Sequence, residues 1–214
     1  MKRDYYRLES RIGAGWPLPH GGHRIRNEEL ESVLGPRLAN PSAWQSPPHV
    51  ALANLGYISD KRSGVASNDQ IVRFVRKYGP LGVESSEMGD PGSPFWLELE
   101  TFRETQERLR EAWIKRDHRL FIDAQNVKSA LGFEHLLHIN WDVRRGALEM
   151  RLASCYDFIA ILLTRDLAEK HAKVCRNPSC PAPYFVAKRT DPIFCTRQCA
   201  SATSVRNFRQ RHKK

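Results

Sequence analysis

Cys175-Arg-Asn-Pro-Ser-Cys180 and Cys195-Thr-Arg-Gln-Cys199, with fourteen residues between them, form the stretch that decides how this chain is read. Four of its five cysteines fall here; the other is Cys155. Two disulfides would suit a secreted chain. The start Met1-Lys-Arg-Asp-Tyr-Tyr has no apolar h-region, so no secretory signal is visible and the cytoplasm is the expected compartment. A metal site is then the better reading. Zinc fits best, because a d¹⁰ ion takes four thiolates tetrahedrally and two short cysteine pairs can close that shell. Cys175, Cys180, Cys195 and Cys199 would fill it and leave no position for an activated water. We therefore expect one Zn²⁺, structural and not catalytic. A module of about 40 residues buries little apolar surface, and a metal contributing on the order of 10–16 kcal/mol would decide whether it folds.

Between and beyond the cysteines, Asn177-Pro178 supports a tight turn. Tyr184-Phe185-Val186 and Pro192-Ile193-Phe194 read as two short strands linked by residues 187–191. Cys195 and Cys199, four apart, fit the first turn of a helix that continues through Arg211. The expected layout is knuckle, hairpin and helix, as in a treble clef. On a helical wheel Val205 and Phe208 lie near Ser201 and Gln198 and are expected to face the zinc core, with Arg206, Arg209, Gln210 and Lys213 on the adjoining face.

Charge divides at the same place. The chain of 214 residues carries a net charge of +10. Residues 171–214 hold ten basic side chains against the single acid Asp191, a net +9 that leaves +1 for the first 170 residues. A basic tail on a nearly neutral body suggests a polyanionic partner. The candidate contacts are Lys188, Arg189, Arg197, Arg206, Arg209, Gln210, Arg211, Lys213 and Lys214. DNA is the first expected partner and RNA the second, with a salt slope of roughly −4 to −5 if four to six cations touch phosphate. The plain alternative is a solvated basic helix that keeps a small module soluble, but +9 exceeds what solubility asks.

The run Cys199-Ala-Ser-Ala-Thr-Ser-Val-Arg-Asn-Phe-Arg-Gln-Arg211 resembles the C-terminal zinc finger of the CGNR family, bacterial proteins regarded as transcription regulators. Val205, Arg206, Phe208, Arg209 and Arg211 fall where that family places an apolar residue, Arg, an aromatic, Arg and Arg. The Gly-Asn-Arg that names the motif is replaced by Ala200-Ser201-Ala202. More weakly, residues 139–170 resemble the end of the family's N-terminal (ABATE-like) domain. The resemblance implies a DNA-binding regulator whose N-terminal domain senses or dimerises.

Upstream, residues 1–25 are dense in Gly and Pro and are expected to lack regular structure. A short helix is expected at about 27–34, stopped by Gly35-Pro36, and a loop over 40–48. Asn68–Tyr78 reads as a helix, with Asp69 near its start and Gly79-Pro80 after it. The clearest long helix spans Pro94–Asp117, capped by Ser93, with Phe95, Leu99, Phe102, Leu109 and Trp113 in one core-facing stripe and Gln106 in its gap. A helix follows at about 118–130. Ile139, Trp141 and Val143, then Leu148, Met150 and Leu152, alternate around Arg144-Arg145-Gly146 as a β-hairpin. Ser154, with Asp157 three residues on, opens a helix to about Lys170 that buries Cys155, Phe158, Ile159, Leu162, Leu163 and Leu167.

The class is therefore α+β: an unstructured segment at 1–25, a mainly helical domain with a β-hairpin at 26–170, and a small treble-clef-like four-cysteine zinc module at 171–214. The helical domain is where a homodimer would form. No apolar run approaches the ~20 residues of a membrane span. Cys155 reads as a buried inert thiol. His171 is a spare ligand candidate that a full shell does not need, and His135 with His138 lack a carboxylate at helical spacing. Asp117, His118 and Asp123 make no recognisable acid–base set. No catalytic motif is present, so no enzyme is expected. The alternative function is a zinc-stabilised adaptor or RNA-binding protein without an operator.

Overall fold

The computed structural model of the chain describes residues 12–14, 17–19, 24–26, 29–38, 46–57, 64–81, 94–122, 137–142, 147–152 and 155–212, with side chains over 46–57, 64–81, 98–121 and 155–212. The N-terminal part is more β-rich than its glycines and prolines suggest. Strands β1 (Ile12–Ala14), β2 (Pro17–Pro19) and β3 (Arg24–Arg26) lie where no regular element was expected. Of the helix expected at about 27–34, residues 29–34 belong instead to strand β4 (Glu29–Leu38). Its first residues pair antiparallel with β3 on one side and with β5 (Pro94–Glu98) on the other. Pairing on both sides overrides the weak local helix signal. Gly35 and Pro36 do not stop β4; they sit where its register against β2 shifts, an irregularity that tolerates a residue without an N–H. The prolines of β2 are accommodated because, among the described residues, β2 pairs only with β4.

The expected helix start at Pro94 also fails. Pro94–Glu98 is β5, and helix α3 runs from Leu99 to Lys115. The expected hairpin forms from β6 (Leu137–Asp142) and β7 (Ala147–Leu152), with β1 added parallel to β7. Val143 and its turn 144–146, Ser154 and residues 123–136 lie outside the described residues. Of the helix expected at 118–130, the turn α4 (Arg119–Ile122) is described.

Helix α2 (Asn68–Tyr78) matches its expected bounds, because every signal for it is local. Ser67 Oγ accepts from Gln70 N, and Gln70 Oε1 accepts from Ser67 N, a reciprocal cap. Helix α1 (Pro48–Asn54), not expected, begins on a proline at its first position. Its C-terminal carbonyls are satisfied from α3. Gln106 Nε2 donates to the oxygens of Leu52 and Leu55, and the buried Arg110 donates to those of Ala53, Leu55 and Gly64. That is why a polar residue fills the gap in the α3 stripe. Gly56, at φ +69°, turns the chain out of α1, and a Cβ there would lie 2.6 Å from Ala66 backbone atoms.

Helix α5 (Cys155–Ala168) buries Cys155, Phe158, Ile159, Leu162 and Leu163, while Leu167 is half-buried. These pack with Leu52, Ile71, Phe74, Phe102, Leu109 and Trp113. The same core continues into the cysteine region through Ala172 and Tyr184. Among the described residues, no helix is long and apolar enough to cross a membrane.

Candidate metal centre and basic helix

The hairpin of the cysteine region is not the one expected. Strand β9 (Tyr184–Val186) pairs antiparallel with β8 (Ala172–Val174), which precedes the first cysteine. Residues 192–194 form no strand. They come alongside by one bond, Arg176 N donating to the oxygen of Ile193 at 2.9 Å. Pro192 has no N–H to offer a ladder, whereas Ala172-Lys173-Val174 can pair fully and place Ala172 in the core.

Cys175 leaves β8 with its N–H on the oxygen of Pro183 at 2.7 Å. Asn177 then closes the knuckle. Its carbonyl accepts from Cys180 N at 3.0 Å and its side-chain oxygen from Ser179 N at 3.2 Å. Pro178 holds the first central position of that turn. The turn carries Cys180 back beside Cys175. On the other arm, helix α6 (Arg197–Arg211) is capped by Thr196, whose Oγ1 accepts from Cys199 N at 3.2 Å. Cys195 thus lies just before the helix instead of within its first turn, and the cap still draws Cys195 and Cys199 to one point.

All four sulfurs lie within 4.8 Å of one another. Cys195 Sγ is 3.5 Å from both Cys180 Sγ and Cys199 Sγ. A disulfide needs about 2.05 Å, and all five cysteines are free. Thiolates about 2.3 Å from a central zinc stand about 3.8 Å apart, so the spacing suits a four-thiolate metal shell. Among the described residues, no other group of three or more His, Cys, Asp or Glu side chains gathers in this way. His171 is outside the cluster, against Glu169 at 3.2 Å.

Burial pushes the Cys180 thiol up to about 11 and Cys195 higher still. The Asn177 side-chain hydrogen bond, aided by Thr196, holds Cys199 down to about 7. A cation among the sulfurs removes the penalty on the raised thiols, since a thiolate is the form that ligates. The metal-ligating chemistry of this cluster is therefore coherent. Cys155 is fully buried on α5, and desolvation raises its thiol far above the ordinary range, as an inert core residue requires.

Beyond Cys199, most of the described residues of α6 are exposed. Lys188, Arg189, Arg197, Arg209, Gln210 and Arg211 are exposed; Lys213 and Lys214 lie outside the described residues. Arg206 is half-buried, its Nη2 donating to Ser179 Oγ at 2.7 Å. Thr203 Oγ1 is tied back to the oxygen of Cys199. The inward face is therefore Cys199, Thr203 and Arg206. Val205 and Phe208, expected against the metal core, are 50% and 64% exposed on the opposite side. That core is instead covered by Phe185 and Phe194, which no periodicity singles out. Compared with known proteins, the chain matches no family model and no curated protein, so the reading of this site rests on its own geometry.

Proposed function

We propose that the chain is a zinc-stabilised DNA-binding regulator in which a treble-clef-like module presents α6 to the duplex. One observation carries this reading: the four-cysteine cluster stands at the foot of an exposed helix with four arginines and no acid. Zinc held by Cys175, Cys180, Cys195 and Cys199 would supply a structural crosslink between the knuckle and the start of α6. It leaves no open coordination position for chemistry. Arg197, Arg209 and Arg211 are then free for phosphate, joined by Lys188 and Arg189 from the loop after β9. The core shared by the helical body and β8–β9 would set the orientation of α6.

The test combines metal analysis with binding. The purified chain is expected to carry one zinc and to bind duplex DNA with a log–log salt slope of roughly −4. Cys195→Ser should lose both. Binding of single-stranded RNA in preference to duplex, absence of binding at low salt, or retention of zinc and binding in Cys195→Ser each overturns the proposal.

A further inference from the structure

Helix α6 does more than carry charge. Its outward side presents Ser201, Val205, Phe208 and His212 in one row, opposite Cys199, Thr203 and Arg206. The Phe208 and His212 rings meet at 4.3 Å on the surface. Ser204, beside the row, turns its hydroxyl back onto the oxygen of Ala200 at 3.1 Å and offers less polar surface than its sequence implies. By helical geometry Arg209 flanks the row on one side, and Arg197 and Arg211 on the other. The result is a ridge with an apolar centre, Val205 and Phe208, between two cationic edges.

We infer that this ridge is a base-reading element: Val205 and Phe208 contact thymine C5-methyl groups in the major groove while the flanking arginines hold the two phosphate walls. The inference rests on the DNA-binding reading above. A helix of about 10–12 Å diameter fits a groove about 12 Å wide, and residues 208–212 are all exposed. Thymine methyl is the largest apolar group that base edges display there, and Val205 and Phe208 have no donor or acceptor with which to read the polar ones. A second copy of the chain is a poorer occupant. Apposing two such ridges sets arginine against arginine, and α6 has no acid to relieve it.

The test uses the full-length zinc-loaded protein and fluorescence anisotropy. Its probes are an alternating dA·dT duplex, the same duplex with deoxyuridine for thymidine, and single-stranded oligo-dT. The wild type should prefer the thymine duplex by about fourfold for each methyl buried. Phe208→Ala should lower that ratio by about fourfold, and Val205→Ala combined with Phe208→Ala should bring it close to one, while zinc content, helicity and the salt slope are kept. Equal affinity of the wild type for the two duplexes overturns the methyl reading and leaves DNA binding standing. Tighter binding to oligo-dT, with stacking on Phe208, also overturns it. So does sedimentation showing a dimer that Phe208→Ala dissociates. Failure to bind any duplex removes the DNA-binding reading itself. Because the duplex comparison is made on the unaltered protein, it holds whatever the variant does to folding.

Discussion

The side chain of Asn54 hydrogen-bonds both backbone groups of Tyr184: Oδ1 accepts from Tyr184 N at 3.0 Å, and Nδ2 donates to Tyr184 O at 2.7 Å. Tyr184 is opposite Val174 in β8–β9, at a position whose N–H and C=O face away from β8. Asn54 therefore acts as a one-residue neighbouring strand. It fastens the hairpin beneath the cysteine knuckle to the end of α1. Asn54→Ala removes both bonds to Tyr184, at a cost of about 2 kcal/mol. For a chain of this size thermal unfolding should fall by about 4–8 °C. Circular dichroism melts at saturating zinc check this, and an unchanged midpoint would show the clamp to be dispensable.

The same attachment predicts a wider effect of zinc removal. Trp113 Nε1 donates to the oxygen of Lys173 at 3.0 Å, and its ring meets Tyr184 edge-on at 5.8 Å. Loss of the metal loosens the knuckle between β8 and β9 and should perturb that contact. Chelation of the zinc-loaded protein is expected to lower its melting midpoint and to red-shift tryptophan emission. The chain has five tryptophans, so the assignment needs Trp113→Phe, in which the shift should largely disappear. A chelated protein with unaltered emission would mean that the metal supports only α6.

How far sequence reaches depends on whether the deciding contact is near or far along the chain. Ser67, Gln70 and Gly79-Pro80 delimit α2 by local bonds, so its bounds are legible. Glu29–Leu38 is a strand because residues 24–26 and 94–98 flank it, and nothing within it announces them. Phe95-Trp96-Leu97 is apolar without a break, and a run of that kind does not separate a helix start from a strand. Ala172-Lys173-Val174 carries no strand signal at all; Trp113 and Tyr184 recruit it. The gathering of Cys175, Cys180, Cys195 and Cys199 was legible because cysteine spacing carries it. The surroundings of Val205 and Phe208 were not, because a helical wheel gives direction but not how far the packing partner extends along the helix.

Acid should weaken the fold through His49. Its Nε2 lies 2.9 Å from Asp166 Oδ2, its ring stacks on Trp113, and both polar residues are fully buried. Burial lowers the His49 pKa below its usual 6.5, outweighing the pull of Asp166 in the other direction. The unfolded chain then takes up this proton first as pH falls. Stability from this group is present above pH 6.5 and is lost progressively below it. Urea midpoints measured between about pH 8 and 5 should fall more steeply for the wild type than for His49→Gln, which keeps a donor toward Asp166. Parallel profiles would remove His49 as the cause.

Arg110 should be among the costliest positions to change. Its guanidinium is buried and donates to three carbonyls at 2.6–2.9 Å, including those at the negative end of α1. Arg110→Met keeps the stem and removes every donor, with an expected loss of about 3 kcal/mol. Gln106→Leu, losing two bonds to the same turn, should cost less. Urea denaturation of both variants tests that order; Gln106→Leu proving the worse would place the main anchor of α1 at Gln106.

Arginines of α6 should differ by the face they occupy. Arg209 and Arg211 are exposed, so neutralising either should reduce the salt slope of DNA binding by about 1 and leave zinc affinity alone. Arg206 spends one donor on Ser179, the residue before Cys180, and thereby braces α6 against the knuckle. Arg206→Gln should change the slope less but let zinc escape faster to a chelator, because the helix then loses its side-chain brace on the knuckle. Salt titrations of anisotropy, paired with chelator competition, separate the two behaviours. A full unit of slope lost in Arg206→Gln, with zinc release unchanged, would mean that Arg206 leaves Ser179 for phosphate in the complex.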